Sequence, residues 1–172
     1  YLPNATCLRM GNLGYKSEAQ KSLFVCYNEI DSYIECLDIA MKTSYAEYEE
    51  IGQARDGEFL QINTKLLQLE NEFYSTVRPK RNVESGERPL EALAKNGIEY
   101  VEVRALDLNP YLPLGIDAKQ IRFLDTFLLH CLMAESTECH RQEFCEIGNN
   151  LAAVVENGRD ENLMIHRDGE KI

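Results

Sequence analysis

The stretch from Gly97 to Asp107 constrains the fold of this chain more than any other part of the sequence. A glycine opens it, and β-branched and aromatic residues follow, which favour a strand. Because side chains alternate between the two faces of a strand, Val101, Val103 and Ala105 are predicted to share an apolar face. The other face is predicted to carry Ile98, Tyr100, Glu102 and Arg104. The stretch therefore predicts one strand with an apolar face and a charged face.

Glu102 and Arg104 are the charged residues of that second face. Two residues along a strand separate their side chains by roughly 6 to 7 Å. A carboxylate supplies the hard oxygen ligands that Mg²⁺ prefers, and a guanidinium supplies paired donors to phosphate oxygens. The pair therefore suits a metal ion held beside a phosphate group. The strand alone leaves a second interpretation open, namely an ordinary sheet with an exposed Glu–Arg pair.

The composition favours a globular chain that does not bind nucleic acid or an anionic membrane. Its 172 residues, 44% of them hydrophobic, are enough for one domain of ordinary size. Acidic residues number 29 against 18 basic ones, and the formal charge of −11 repels polyanions. No apolar stretch approaches the roughly 18 residues of a membrane-spanning helix. We therefore expect a cytoplasmic protein whose six cysteines, none in a C-x-x-C pair, are reduced.

Hydrophobic periodicity predicts a helix that begins near residue 17. The sequence Ser17-x-x-Gln20 has the form of a capping box, which marks a helix start. The apolar residues that follow at helical spacing are Leu23, Cys26, Tyr27, Ile30, Tyr33, Ile34, Leu37 and Met41. This stripe is expected to face the protein core.

Shorter patterns predict the elements that come next. A short helix is expected from Tyr45 to Ile51. After it, Asp56-Gly57 reads as a turn that joins two strands, placed near residues 59–62 and 65–69.

Prolines and helix caps set the boundaries of the later elements. Pro79 resists both a helix and a central strand, so the residues around it are assigned to a loop. Pro89 is expected to begin a helix that ends at Lys95. Asp117 is predicted to cap a broad apolar helix that runs to about Ala134 and is well buried. A last helix is predicted from Gln142 to Glu156.

A set of short motifs follows in a specific order along the chain. The motifs are Tyr1-Leu2-Pro3-x-Ala5-Thr6-x-Leu8-Arg9, Leu13-Gly14-Tyr15, Leu60-Gln61-Ile62-Asn63, Glu70-Asn71-Glu72-x-Tyr74, Arg78-Pro79-Lys80-Arg81, Ser85-Gly86-Glu87, Gly97-Ile98-Glu99-Tyr100-x-Glu102-Val103-Arg104 and Leu106-Asp107-x-Asn109-Pro110. In this order and spacing, the chain resembles the bacterial type of glutamate–cysteine ligase (γ-glutamylcysteine synthetase) as far as about Arg159. No single motif is decisive, but the set is specific.

The resemblance implies an ATP-dependent ligation, the first step of glutathione biosynthesis. In that family, ATP phosphorylates the γ-carboxylate of L-glutamate, and the amine of L-cysteine then displaces the phosphate. The protein positions the reactants and neutralises phosphate charge. The implied fold is α+β, with part of a curved, mostly antiparallel, funnel-like sheet similar to that of glutamine synthetase and flanked by helices. Mg²⁺, with Mn²⁺ as an alternative, is implied between ATP and glutamate.

The resemblance also assigns roles to individual residues. Glu102 matches a metal-ligand glutamate of the family, and Arg104 matches a catalytic arginine that meets the transferring phosphate. The residues that match those holding the cysteine substrate are Arg9, Tyr15 and Tyr74. Lys80 and Arg81 are placed near the nucleotide phosphates, with a solvated loop as the alternative.

The family's enzyme is a longer chain, and this difference affects what is expected of residues 1–172. Its N-terminal part supplies further glutamates and a histidine for the metals, and an arginine for glutamate, none of which is matched in this sequence. We therefore interpret the chain as a single segment of the ligase catalytic domain that is inactive alone. Its expected partners are ATP, L-glutamate, L-cysteine and the remainder of the same polypeptide, without nucleic acid or membrane, in a monomeric enzyme.

Two other interpretations remain open at this point. One is a carboxylate–amine ligase with another amine acceptor, which the effect of replacing Tyr15 or Tyr74 on the Michaelis constant for cysteine would discriminate. The other is a non-catalytic helical interaction module. In such a module Glu102 and Arg104 would form only a surface ion pair, worth less than about 1 kcal/mol.

Overall fold

The structure is a computed structural model that describes residues 2–172, and these residues form two compact units. One unit is continuous and spans Tyr15–Ala105, whereas the other combines the N-terminal residues through Gly14 with Leu106–Ile172. Both units contain helices and short antiparallel strands, which confirms the predicted α+β class at this level. The assignment of the whole chain to a single catalytic-domain segment stays a prediction.

Helix α1 spans Ile30–Lys42 and packs against the core of the continuous unit. Its buried residues are Tyr33, Leu37 and Ala40, which recur at helical spacing. The predicted apolar stripe is therefore confirmed for this part of the chain.

The predicted helix start at Ser17 is wrong. Residues 19–22 form a turn of 3-10 helix, and residues 23–29 are irregular. The side chain of Gln20 bonds to the carbonyl oxygen of Glu72 and to the backbone N–H of Tyr74, at 3.1 and 2.9 Å, so it does not close a capping box. A tertiary contact has replaced the local one.

Strands β1 (Ala54–Arg55) and β2 (Glu58–Phe59) form a hairpin around the predicted Asp56-Gly57 turn. Both turn residues are left-handed, with φ of 53° and 86°, as a two-residue type I′ turn requires. Such a turn pairs the residues directly beside it. The strand predicted near residues 59–62 is therefore confirmed only at Phe59, and the strand predicted near residues 65–69 is wrong, although the turn is confirmed.

Helices α2 (Ala46–Ile51) and α3 (Pro89–Asn96) agree with the prediction to within one residue at each end. Pro89 occupies the start of α3, where its missing N–H costs no helical hydrogen bond. Gly97 ends α3 with φ of 72°, a left-handed conformation that favours glycine.

Strand β3 (Val77–Lys80) pairs antiparallel with β4 (Tyr100–Val103). The strand predicted over Gly97–Asp107 is shorter than expected, because β4 spans only Tyr100–Val103. Pro79 is predicted to lie in a loop, but it lies in β3. Each strand of a two-stranded sheet has an outer edge, where the missing N–H of proline costs no ladder hydrogen bond.

The core of the continuous unit lies among α1, α3 and the irregular segments that connect the elements. Its buried members are Val25, Tyr33, Leu37, Ala40, Leu67, Phe73, Leu90 and Leu93. Phe73 belongs to this core and precedes Tyr74 directly, so packing fixes the chain at that point.

The second unit contains helices α4 (Ala118–Met133) and α5 (Arg141–Asn157), as predicted. The side chain of Asp117 accepts a hydrogen bond from the backbone N–H of Gln120 at 2.8 Å, which confirms the predicted cap. Among the residues that the structure describes, no helix is long and apolar enough to span a membrane.

The prediction that α4 is well buried is wrong. No residue of this helix is buried, and Phe123, Phe127 and Leu132 are 66%, 50% and 81% exposed. Within the described part of this unit, Val155 is the one buried hydrophobic side chain. The periodicity of α4 indicates an apolar face, but it does not specify what covers that face.

The chain ends in a hairpin that was not predicted, formed by β5 (His166–Arg167) and β6 (Glu170–Lys171). Its turn is Asp168-Gly169, with φ of 55° and 81°. The Asp-Gly pair is a sequence signal for such a turn and could have identified it.

Candidate active site

The β3–β4 pair carries charged side chains on one face, which we call the polar face: Arg78, Lys80, Glu102 and, just beyond the strand, Arg104. The register places Arg78 opposite Glu102 and Lys80 opposite Tyr100. The polar and apolar residues of the two strands therefore alternate, as predicted for β4.

The opposite face of the same pair is apolar. Val77, Pro79 and Val101 line a cavity of about 200 Å³ together with side chains of α1. Ile98 also lines this cavity, although it was predicted to lie on the face of Glu102. The strand begins only at Tyr100, so the alternation does not extend back to Ile98.

The two oxygens of the Glu102 carboxylate are in different situations. Nε and Nη2 of Arg78 both donate to Oε2, at 2.9 and 2.7 Å. Within the described chain, no hydrogen bond reaches Oε1. The carboxylate is therefore held by one oxygen and keeps the other available for a ligand.

The charges around Glu102 keep it ionised. Burial acts to raise the pKa of Glu102, but the hydrogen bond and charge of Arg78 outweigh it, with further contributions from the charges of Arg104 and Lys80. The pKa is consequently lowered from its usual value. Three cations surround one carboxylate, so the polar face attracts anions such as phosphate although the whole chain is acidic.

Arg78 is a residue of this site whose role is not predicted from the sequence. It is 8% exposed, and its Nη1 donates to the backbone carbonyls of Asn71 and Phe73 at 3.0 and 3.1 Å. The sequence shows Arg78 within a basic motif, but its position opposite Glu102 depends on a strand register that the sequence does not reveal.

Three of the predicted site residues lie together in the continuous unit. The rings of Tyr15 and Tyr74 meet edge to face, with centroids 5.2 Å apart. The guanidinium carbon of Arg104 lies 4.9 Å from the centroid of the Tyr74 ring, a cation–π distance. Tyr74 thus stands between the predicted catalytic arginine and the other predicted cysteine-binding phenol.

Lys80 and Arg81 have different surroundings, although they are adjacent in sequence. Lys80 lies on the polar face, and its Nζ donates to the side-chain oxygen of Asn71 at 3.3 Å. Arg81 donates to the backbone carbonyls of Gly97 and Asn96 at 2.6 and 2.7 Å, at the end of α3. The structure therefore brings Lys80, but not Arg81, to Glu102.

Arg9 belongs to the other compact unit, where Asp107 holds its backbone. The carboxylate of Asp107 accepts hydrogen bonds from the N–H groups of Leu8 and Arg9 at 2.6 and 2.7 Å, and from the thiol of Cys7 at 3.3 Å. Leu8, Arg9 and Asp107 line an open groove of about 580 Å³. Burial acts to raise the pKa of Asp107, but these donors and the charge of Arg9 lower it.

Glu102 fits one ligand position of a magnesium site and not a complete site. Mg²⁺ takes about six oxygen ligands, several of them waters or substrate phosphates. The described residues contain no group of three or more His, Cys, Asp or Glu side chains that could hold a metal ion. Further ligands for an ion at Oε1 would have to come from outside these residues.

Comparison with known sequences identifies the family. Residues 1–154 match the family model described as glutamate–cysteine ligase. Glutamate–cysteine ligases of Pseudomonas fluorescens and Pseudomonas aeruginosa are 51% and 50% identical to this chain. Each match covers 100% of this chain and 32% of the relative. The chain thus spans about a third of the length of these curated relatives.

Comparison with solved structures agrees. A glutamate–cysteine ligase from Francisella tularensis in complex with AMP is 38% identical and has a TM-score of 0.93, over 99% of this chain and 34% of that chain. A bifunctional glutathione synthetase from Pasteurella multocida has a TM-score of 0.59 at 23% identity, which indicates a similar fold alone. The chain belongs to the glutamate–cysteine ligase family, which confirms the resemblance.

Proposed function

We propose that this chain is a segment of the catalytic domain of an enzyme that ligates L-glutamate to L-cysteine with ATP, in the first step of glutathione biosynthesis. The observation that carries the proposal is the arrangement on the polar face. Glu102 is ionised and keeps one oxygen available, while Arg104 lies over the ring of Tyr74.

In the proposed reaction, a γ-carboxylate oxygen of glutamate attacks the γ-phosphorus of ATP, and ADP leaves. The amine of cysteine then attacks the acyl carbon, inorganic phosphate leaves, and the new amide nitrogen loses a proton. Arg104 is proposed to hold the transferring phosphate, because a guanidinium donates two parallel hydrogen bonds to phosphate oxygens. Its contact with Tyr74 restrains its orientation before the nucleotide binds.

Mg²⁺, or Mn²⁺ in its place, is proposed to be bound in part through Oε1 of Glu102, where it would neutralise phosphate charge. Lys80 is proposed to approach the nucleotide phosphates from the same face. The Francisella ligase was solved with AMP, which supports ATP as the co-substrate. Nucleotide binding by Arg81 stays a prediction.

Tyr15 and Tyr74 are proposed to bind the cysteine substrate. Phenol hydroxyls donate hydrogen bonds to a carboxylate, and the edge-to-face contact of the two rings fixes their relative position. The role of Arg9 in binding cysteine stays a prediction. We also propose that β3 and β4 form part of a larger, funnel-like antiparallel sheet, and that the complete enzyme is a cytoplasmic monomer.

A coupled ADP-release assay on the complete polypeptide, with ATP, Mg²⁺ and glutamate, tests the proposal. We expect ADP release that depends on cysteine. Tyr74→Phe and Tyr15→Phe should each raise the KM for cysteine by about tenfold, the effect of one lost hydrogen bond to a charged group, and change the KM for ATP much less. The matched control is Tyr111→Phe, because Tyr111 is 92% exposed, and both constants should stay unchanged.

The alternatives give different results in the same assay. Turnover that needs another amine in place of cysteine would keep the reaction and change the acceptor. Absence of turnover with any amine would favour a non-catalytic interaction module. ADP release by residues 1–172 alone, with ATP and glutamate, would contradict the dependence on the rest of the polypeptide.

A further inference from the structure

Arg78 is the one charged or polar residue that is buried in the described part of the chain. A buried guanidinium is costly unless its donors are paired. Arg78 satisfies this condition with four hydrogen bonds, two to Glu102 and one each to the carbonyls of Asn71 and Phe73. Its partners lie on two different segments of the continuous unit.

On one side, Arg78 determines how the carboxylate of Glu102 is presented. Nε and Nη2 converge on Oε2, and a carboxylate gripped by two donors on one oxygen cannot rotate freely. Oε1 is thereby directed away from the guanidinium. The orientation of the available oxygen is set by Arg78 and not by Glu102 itself.

On the other side, Arg78 holds the turn that carries Tyr74. The carbonyls that it binds belong to the 3-10 turn Glu70–Glu72 and to the residue directly before Tyr74. The N–H of Tyr74 is in turn bound by the side chain of Gln20 at 2.9 Å. Both polar groups of the Phe73–Tyr74 peptide bond are therefore held, and this fixes the backbone that carries the ring on which Arg104 lies.

We propose that Arg78 is a positioning residue that couples the carboxylate of Glu102 to the segment of Tyr74. The phosphate-transfer side and the cysteine side of the site are then held in a fixed relation by one guanidinium. This inference rests on the proposed function and adds to it a residue that need not touch any substrate.

The coupling requires arginine and would not survive replacement by lysine. A guanidinium presents its donors in a rigid planar fork, so it can bond a carboxylate along one edge and carbonyls along the other. The ammonium of lysine keeps the charge and has three donors, but all of them radiate from one nitrogen and do not reach partners on two opposite sides.

The first test is the kinetics of Arg78→Lys in the complete enzyme. We expect kcat to fall and the KM for cysteine to rise, each by about 10- to 100-fold, because both ends of the coupling are released. A purely structural role would lower the amount of active enzyme and leave the KM for cysteine unchanged. A fall in kcat without a change in the KM for cysteine would therefore overturn the coupling, and so would the absence of both effects.

Arg88→Lys is the matched control. Arg88 pairs with the carboxylate of Glu70, so it also binds the turn that carries Tyr74, but within the described residues its ion pairs are with Glu70 and Glu91 and not with the polar face. We expect kcat and the KM for cysteine to stay within about twofold of the wild type, at a similar thermal unfolding temperature. A rise in the KM for cysteine equal to that of Arg78→Lys would show that any loosening of the turn suffices, and would overturn the special role of Arg78.

The second test does not depend on activity or on Arg78→Lys being folded. If Arg78 couples the two segments, Glu102→Gln should speed hydrogen–deuterium exchange of the backbone in residues 70–74 of the protein without substrates. Glu91→Gln is the control, because Glu91 pairs with Arg88 on the surface of α3. Equal exchange in Glu102→Gln and wild type would overturn the coupling.

The proposed function and this inference can fail separately. Wild-type turnover that depends on cysteine decides the former. If that turnover is present, the changes in kcat and in the KM for cysteine of Arg78→Lys test the coupling role of Arg78. Without it, the exchange experiment still decides whether Arg78 joins the two segments.

Discussion

Two carboxylates, Glu102 in the continuous unit and Asp107 in the other, are used in opposite ways. Both oxygens of Asp107 accept hydrogen bonds, from the backbone of Leu8 and Arg9 and from the thiol of Cys7. From the residues that the structure describes, Glu102 accepts hydrogen bonds on one oxygen only. Asp107 thus uses both oxygens to hold the backbone near Arg9, whereas one oxygen of Glu102 stays available for a ligand.

The electrostatics of the two groups do not reveal this difference. The pKa of each carboxyl is lowered against the opposing effect of burial, by an arginine side chain for Glu102 and mainly by backbone N–H donors for Asp107. A lowered pKa therefore shows that a carboxylate is well solvated by the protein. The number of oxygens left without a partner separates a candidate ligand from a structural anchor.

Glu102→Gln should have the largest effect, and on activity. If Glu102 binds the metal ion as proposed, removing its charge is expected to lower kcat of the complete enzyme by at least about 100-fold. The thermal unfolding temperature should change little, because Glu102 is partly exposed and any loosening is local to residues 70–74. The measurement is ADP release together with thermal denaturation.

Glu91→Gln is the control for this change, since Glu91 is also paired with an arginine but lies on the exposed surface of α3. It should leave kcat unchanged. If Glu102→Gln were equally harmless, Glu102 would be a surface ion-pair residue, and the contrast with Asp107 would disappear.

Asp107→Asn should show the reverse pattern, with an effect on stability. Asparagine keeps the shape but loses the charge that strengthens the bonds to Leu8 and Arg9, so the free energy of unfolding should fall by about 1 to 2 kcal/mol. The kcat should fall less than in Glu102→Gln. Chemical denaturation of the complete protein at neutral pH, compared with wild type, provides the measurement.

The effect of Asp107→Asn on stability is expected to depend on pH. The folded-state pKa of Asp107 is lowered, so its contribution to stability is fully present above the unfolded-state pKa of about 3.9 and is lost as the pH falls through the folded-state value. The stability difference between wild type and Asp107→Asn should therefore narrow as the pH falls below about 4. A stability difference that stays constant as the pH falls well below about 4 would contradict the anchoring role.

Gly57→Ala should have the smallest effect. Gly57 is remote in sequence from both carboxylates and belongs to the β1–β2 turn. Gly57 has φ of 86° in the β1–β2 turn, so alanine is expected to destabilise the protein by about 1 kcal/mol without changing kcat or KM. Gly148→Ala is the matched control, because Gly148 lies within α5 with open space around it, and alanine should be neutral or stabilising there. Thermal denaturation of both variants measures the difference, and equal effects would contradict the role of backbone conformation.

Local signals predicted much of the fold. Pro89, Asp117 and the Asp56-Gly57 pair act on their immediate neighbours, and the elements that they mark begin or turn where expected. The apparent capping box at Ser17 failed because Gln20 bonds to a distant segment. A local pattern predicts correctly only where no tertiary partner competes for the same side chain.

The candidate site was predicted in part. Alternation along one strand placed Glu102 opposite in face to Val101 and Val103, and it needed no knowledge of other strands. The position of Arg78 beside Glu102 required the pairing partner and the register, which depend on contacts distant in sequence. The exposure of α4 likewise depends on what lies beside it, which periodicity does not encode.

Helix α3 illustrates a consequence for how the sequence can change. Its own first residues contain no capping side chain, and the carboxylate of Glu70 instead accepts the N–H of Leu90 at 2.9 Å, while Arg81 binds the carbonyls at the other end. An anion at the N-terminal end and a cation at the C-terminal end both interact favourably with the helix dipole. Two side chains outside α3 therefore bind its ends, so an exposed residue of the helix can change without loss of either contact, whereas Leu90 and Leu93 stay tied to the core.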